Sequence, residues 1–302
     1  MIALFPTAFA ITKNSSGDEK KSSGAKNKTR KILFSIIRIT LGVYIGLTIF
    51  LFFFQRYYIY RPMKEIIITP AALGLDYEDI IFEAADGVKL SGWFVPAREP
   101  KGVVLFCHSN AGNISTYLDS VKLLNGLGLS VFIFDYRSYG DSEGKPTEQG
   151  TYMDAEAAWR YLIEKKGFSN DEMIILGRSL GGAVGSHLAR KHTPKALIIE
   201  SSFTSFDDIA KVHFPYVPIR LIARYNYNVV DNLQNVKCPV LIVHSRDDEI
   251  VPFRMGRKLF EYANEPKGFL EITGDHNECY TLSGKRYTDG LSAFIAEYVV
   301  KQ

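Results

Sequence analysis

Two hydrophobic patterns divide this chain. The first is a block: residues 32–54 (ILFSIIRITLGVYIGLTIFLFFF) are apolar on every side, with Arg38 as the only charge. As a helix, these 23 residues reach about 35 Å, enough to cross a hydrocarbon core of about 30 Å. Arg38 lies close enough to the N-terminal end for its long stem to carry the guanidinium to the interface. Tyr57, Tyr58 and Tyr60 follow at once, as an aromatic belt does. No small-residue cleavage site follows Phe54, so the pattern predicts an uncleaved signal-anchor. The apolar opening, residues 1–10, has no basic flank and contains Pro6, and makes a poor signal peptide. Gly42 and Gly46 form a GxxxG pair through which two anchors can pack weakly.

The second pattern begins near residue 66. Residues 77–83 and 88–95 read as strands around an Asp86-Gly87 turn, a short hairpin signal. Five short apolar runs then alternate with helix-length segments: 103–108, 131–136, 173–176, 196–199 and 239–244. A sixth, 269–273, follows the helix-like stretch 253–263. Runs without polar alternation suit central parallel strands covered on both faces, with the intervening helices as the cover. The expected architecture is one doubly wound α/β domain over 66–302. A flexible basic tail (1–31) and a transmembrane anchor (32–54) precede it.

Charge sharpens this picture. The 302 residues carry a net charge of +3. Residues 1–31 hold seven Lys/Arg against Asp18 and Glu19, so the remaining 271 residues sum to −2. No basic surplus is left on the folded part for binding nucleic acid. The basic flank predicts a cytoplasmic N-terminus and places the folded domain across the membrane. Arg56, Arg61 and Lys64 on the other flank weaken that bias. Three cysteines, Cys107, Cys238 and Cys279, give neither a disulfide framework nor a zinc spacing, and no cofactor is implied.

The chemistry centres on Gly177-Arg178-Ser179-Leu180-Gly181-Gly182, between the run 173–176 and a helix expected over 183–191. G-x-S-x-G between a strand and a helix sets the serine hydroxyl on a tight turn, with small residues on either side so that the backbone clears it. Serine needs a base. Of six histidines, His187 and His192 lie in the following helix, His108 lies before the elbow, and His213 and His244 precede any acid. With the order Ser, acid, His, only His276 remains, in the loop Gly274-Asp275-His276-Asn277 after the last strand. The acid belongs in the turn after 239–244, where Asp247, Asp248 and Glu249 offer three carboxylates, and spacing does not choose between Asp247 and Asp248. One oxyanion donor is the backbone N–H of Leu180, directly after the nucleophile; the other is expected from the loop 108–113.

These motifs together resemble the α/β-hydrolase superfamily, and within it small membrane-anchored, serine-aminopeptidase-like hydrolases. The resemblance covers residues 40–300. It rests on the anchor running into Arg61-Pro62, HSNAGN at 108–113, FDYRSYG at 134–140, GRSLGG, Ser202-Phe203-Thr204-Ser205 and HSRDDEIVP at 244–252. It implies an α/β-hydrolase fold with a mostly parallel central sheet and helices on both faces. It places the acid, fifth in H-G-x-x-D-x-x-V-P, on Asp248, and the second oxyanion donor on Asn110. Ser109 and Ser245 stand where that family usually has Gly. The implied triad is Ser179, Asp248 and His276.

The resulting expectation is a serine hydrolase acting through an acyl-enzyme. Only 36 residues separate Ser202 from Pro239, room for one or two covering helices, and 214–219 is apolar and aromatic. A tethered, lightly covered site favours lipid esters or acyl thioesters over bulky soluble peptides. Two other classes stand beside it: a peptidase or amidase of the same fold, and a non-catalytic membrane-anchored binding protein. The last requires damage to the triad or oxyanion loop. Dehalogenase chemistry requires Asp at position 179.

Overall fold

The computed structural model describes residues 16–299, with side chains from residue 27 onward. Its contacts divide the chain into a unit ending at Leu51 and a unit beginning at Phe52.

Helix α1 (Ser16–Ile59) contains the apolar block. The segment Asn27–Ile59 reaches a mean hydropathy of 2.1 over its most apolar window, none of which is buried in the protein. By length and composition it can cross a membrane. The helix starts 16 residues before the expected boundary at 32 and ends five residues beyond 54. Lys, Glu and Ala are good helix formers, so a helix nucleated by the apolar block propagates into its polar flank. The expected tail over 16–31 is therefore helical, while residues 1–15, with the leader-like opening, lie outside the described residues.

The second unit is built on an eight-stranded sheet. Its strands are β2 (Glu78–Glu83), β3 (Lys89–Val95), β4 (Val103–Cys107), β6 (Ser130–Phe134), β7 (Met173–Arg178), β8 (Ala196–Glu200), β9 (Val240–Ser245) and β10 (Lys267–Ile272). The order is β10-β9-β8-β7-β4-β6-β3-β2, parallel from β10 to β6 and antiparallel at β3 and β2. The expected hairpin and all six apolar runs are present, each within a few residues of its predicted bounds.

Side chains alternate across this sheet. Val103, Leu105 and Cys107 of β4 face one layer, where α3 (Glu148–Glu164), α4 (Leu180–His192) and α8 (Phe253–Tyr262) supply Trp159, Val184 and Leu259. Val104 and Phe106 face the other, where α2 (Leu118–Gly126) and α10 (Lys285–Tyr298) supply Val121 and Phe294. Both faces are thus dry, which is why these strands read as unbroken apolar runs. A two-residue strand, β1 (Arg61–Pro62), pairs in parallel with β5 (Ala111–Gly112) and stitches the chain leaving α1 to the loop after β4.

Between β8 and β9 lie three short helices: α5 (Phe206–His213), α6 (Ile219–Ile222) and α7 (Val229–Leu233). Ser205 caps α5, its hydroxyl accepting the Asp208 N–H. The buried Val229 and Leu233 of α7 join the core, so the covering helices expected from the sequence are α5 and α6.

Candidate active site

Ser179 sits between β7 and α4 with φ 54° and ψ −115°, a backbone conformation that costs a non-glycine residue about 1–3 kcal/mol. The fold holds it there. Its N–H donates to Glu200 O at 2.8 Å, and the Ser202 hydroxyl donates to its carbonyl at 2.7 Å. The flanking glycines are sterically obligatory: a Cβ at Gly177 would collide with the Gly181 backbone, and one at Gly181 with the carbonyls of Cys107 and His108.

Three side chains distant in sequence meet at this turn. Ser179 Oγ lies 3.1 Å from His276 Nε2, and His276 Nδ1 lies 2.8 Å from Asp248 Oδ2. All three residues are buried. The Asp248 Oδ1 atom accepts the N–H groups of Ile250 at 3.0 Å and Val251 at 2.7 Å, fixing the carboxylate in its turn. Asp247 points elsewhere, with Oδ2 3.3 Å from the Gly274 N–H. Geometry thus separates two carboxylates that spacing left equivalent. His244, expected to be a strand residue, is buried beneath the acid: Nε2 donates to Val251 O at 2.8 Å and lies 3.6 Å from Asp248 Oδ2. Burial lowers its pKa, so it braces the turn as a neutral imidazole.

Of the two expected oxyanion donors, Leu180 is the first residue of α4 and Asn110 lies in the loop after β4, the strand that neighbours β7. The Asn110 side chain has a task that sequence reasoning missed. Its Nδ2 donates to Ile59 O at the end of α1 at 2.8 Å, while the backbone carbonyl of Asn110 accepts from Tyr139 Oη at 2.7 Å and from the Arg61 N–H at 2.9 Å. The buried Asn113 side chain adds bonds to the carbonyls of Met63 and Glu65. The motif HSNAGN is thus partly a fastening to the residues that follow α1; its two asparagines were the signal. Among the described residues, the non-glycine positions with left-handed φ are Ser138, Ser179, Thr193 and Ser201. Ser109 and Ser245 therefore occupy ordinary backbone and carry no strain in place of glycine.

Two buried clusters support the site. Behind the elbow, Arg178 pairs with Glu200 at 2.8 Å, Tyr287 Oη donates to Glu200 Oε1, and the Arg178 guanidinium lies 4.1 Å over the Tyr280 ring. Tyr280 belongs to α9 (Cys279–Leu282), which begins three residues after His276, so the cluster ties the base-bearing loop to the elbow. Under the loop 108–113, His108 Nε2 lies 3.6 Å from Asp135 Oδ1, which accepts the Ile114 N–H at 3.0 Å. Burial pushes Asp135 up to about 8 and His108 down to about 4, so both are neutral at pH 7. A cleft of about 380 Å³ lined by Glu148, Tyr152, Arg224 and Tyr225, among others, contains none of the three site residues. Among the described residues, no cluster of His, Cys, Asp and Glu is arranged to hold a metal ion.

The family described as "Serine aminopeptidase, S33" matches residues 98–218, which include the elbow. The chain is similar to the Arabidopsis thaliana "Alpha/beta hydrolase domain-containing protein WAV2", 34% identical over 284 residues, covering 85% of this chain and 92% of that one. The chain belongs to the α/β-hydrolase superfamily. "Protein bem46" of Schizosaccharomyces pombe is 32% identical over 267 residues, covering 82% of this hydrolase and 88% of that protein. Among solved structures, the Pyrococcus furiosus esterase Pf2001 superposes with a TM-score of 0.68 at 20% identity, covering 80% of this chain and 98% of that one. At that identity the likeness shows the shared fold.

Proposed function

We propose that this α/β hydrolase is a membrane-anchored serine hydrolase that cleaves acyl esters or thioesters of lipid-like or acylated molecules. The observation that carries the reading is the continuous hydrogen-bond line Ser179–His276–Asp248, with contacts of 3.1 and 2.8 Å. Ser179 Oγ attacks the acyl carbonyl as His276 Nε2 takes its proton, and Asp248 holds the Nδ1–H tautomer and stabilises the imidazolium. The backbone N–H groups of Leu180 and Asn110 receive the oxyanion. Collapse of the tetrahedral intermediate returns the proton to the leaving group and leaves Ser179 acylated. His276 then activates a water that releases the acid and regenerates the serine.

The apolar helix supports anchoring, and the basic surplus of residues 1–31 supports a cytoplasmic N-terminus with the hydrolase domain on the extracytoplasmic side. Gly42 and Gly46 supply a weak dimerisation face. An intact relay weighs against a non-catalytic binding protein. The name of the matching family keeps a peptidase in view, and a substrate panel separates it. Ser179→Ala is expected to lower hydrolysis of 4-nitrophenyl acyl esters by at least about 10³-fold while the protein stays folded. An unchanged rate in that variant rejects the assignment. In the wild type, acyl esters and thioesters are expected to turn over and aminoacyl amides to remain intact.

A further inference from the structure

The residues that end α1 are bonded both to the cover of the site and to its oxyanion loop. The apolar run stops at Phe54. The next residue, Gln55, is buried, and both polar atoms of its carboxamide hold the C-terminal end of the cover: Nε2 donates to Ile222 O at 2.7 Å, and the Arg224 N–H donates to Oε1 at 3.0 Å. The Tyr58 ring lies 6.2 Å from Phe214, and Tyr60 Oη is 2.6 Å from Tyr227 Oη. Four residues after Gln55, Ile59 O holds the Asn110 side chain at 2.8 Å. At 1.5 Å per residue, cover and oxyanion loop are fastened within about 6 Å of each other along the helix, starting at the last apolar turn. The acid turn joins the same arrangement, because His213 Nε2 at the end of α5 donates to Ile250 O at 3.0 Å.

The exposed side chains of this cover suit a bilayer surface. Leu221 on α6 is 84% exposed and Tyr216 is 87% exposed, both large apolar residues in a segment beside the end of the span. Arg220 and Arg224 are exposed next to them, and Arg56 follows Gln55 on α1. Exposed apolar side chains flanked along the chain by arginines match an interface in which acyl chains lie beneath phosphate-bearing headgroups.

We infer that the segment 214–224 rests on the membrane surface, inserting Leu221 among the lipids, and that the hydrolase takes its acyl substrate directly from the bilayer. This rests on the anchored serine-hydrolase reading and narrows its substrate class to esters whose acyl chain is membrane-resident. The tail stays in lipid while its carbonyl rises to Ser179, so the cover needs no deep pocket of its own.

The test uses the full chain reconstituted in phosphatidylcholine–phosphatidylserine vesicles, assayed on a long-chain fluorogenic ester embedded in the same vesicles and on water-soluble 4-nitrophenyl acetate. Leu221→Glu is expected to slow the embedded ester at least about tenfold and leave the soluble ester unchanged. A nitroxide at Leu221→Cys reports position independently, and the native cysteines are all buried and spared from labelling. It is expected to be more accessible to oxygen than to a water-soluble nickel chelate. A purely aqueous signal at residue 221, or a rate on the embedded ester that the charge leaves untouched, overturns the inference. Retention of both activities by Ser179→Ala defeats instead the underlying assignment of the nucleophile.

Discussion

Ser179 and His276 were legible as residues because chain order and motif constrain them: one serine stands at a strand-to-helix turn, and one histidine follows the last possible acid. Asp247 and Asp248 were not separable, since adjacent carboxylates on one turn differ only in where the backbone aims them. The structure gives Asp248 the His276 contact and two backbone N–H donors, and gives Asp247 the Gly274 N–H. Asp248→Asn is accordingly expected to lower kcat about 10⁴-fold, and Asp247→Asn to leave it within about threefold, in the same ester assay. The strain at Ser179 has its own signature. Glycine tolerates its positive φ, so Ser179→Gly is expected to unfold about 1 kcal/mol less readily than Ser179→Ala in denaturant titrations, with both inactive.

Asp135 and His108 give stability a pH dependence. Asp135 titrates at about 8 when folded against a usual 3.8, and His108 at about 4 against 6.5. Between pH 4 and 6.5 the unfolded chain has lost the Asp135 proton but gained one on His108, and the two effects offset. Between pH 6.5 and 8 only Asp135 contributes: the folded chain holds a proton that the unfolded chain has released, so stability falls as pH rises, by up to about 1.4 kcal/mol per pH unit. Asp135→Asn keeps an acceptor for the Ile114 N–H and is expected to flatten that slope in chemical unfolding at pH 6.5, 7.2 and 8. An equally steep slope in the variant contradicts a buried protonated Asp135.

At the scale of elements, the sheet was readable because both its faces are buried, so each central strand is an unbroken apolar run that periodicity alone picks out. The extent of α1 was not, because its polar N-terminal stretch, residues 16–31, is helical by propagation from a neighbouring segment, which local composition does not reveal. Nor was the junction of α1 with the hydrolase domain. Gln55 meets Ile222 and Arg224 across more than 160 residues, and Asn110 meets Ile59 across 51, pairings without a local signature. Asn110→Ala removes the half-buried bond to Ile59 O that fastens the loop after β4. The variant is expected to lose between about 10- and 100-fold in kcat with KM nearly constant. A change confined to KM points to a role in substrate binding instead.

For the whole molecule, an apolar helix able to cross a membrane, an aromatic exit and a hydrolase domain bonded to that exit follow one another along the chain. The proposed orientation rests on the basic flank of residues 1–31. In sealed vesicles of known sidedness, protease added to the extracytoplasmic face is expected to digest the hydrolase domain and spare a tag at the N-terminus; the reverse pattern overturns the proposed orientation.

The relay itself is reached most directly by labelling the full chain in membranes with a fluorophosphonate and mapping the adduct by mass spectrometry. A nucleophile activated by His276 takes up the phosphonate at Ser179 alone, and His276→Ala loses that uptake. A phosphonate found on another residue, or a Ser179→Ala variant that labels as fast as the wild type, contradicts catalysis by this triad.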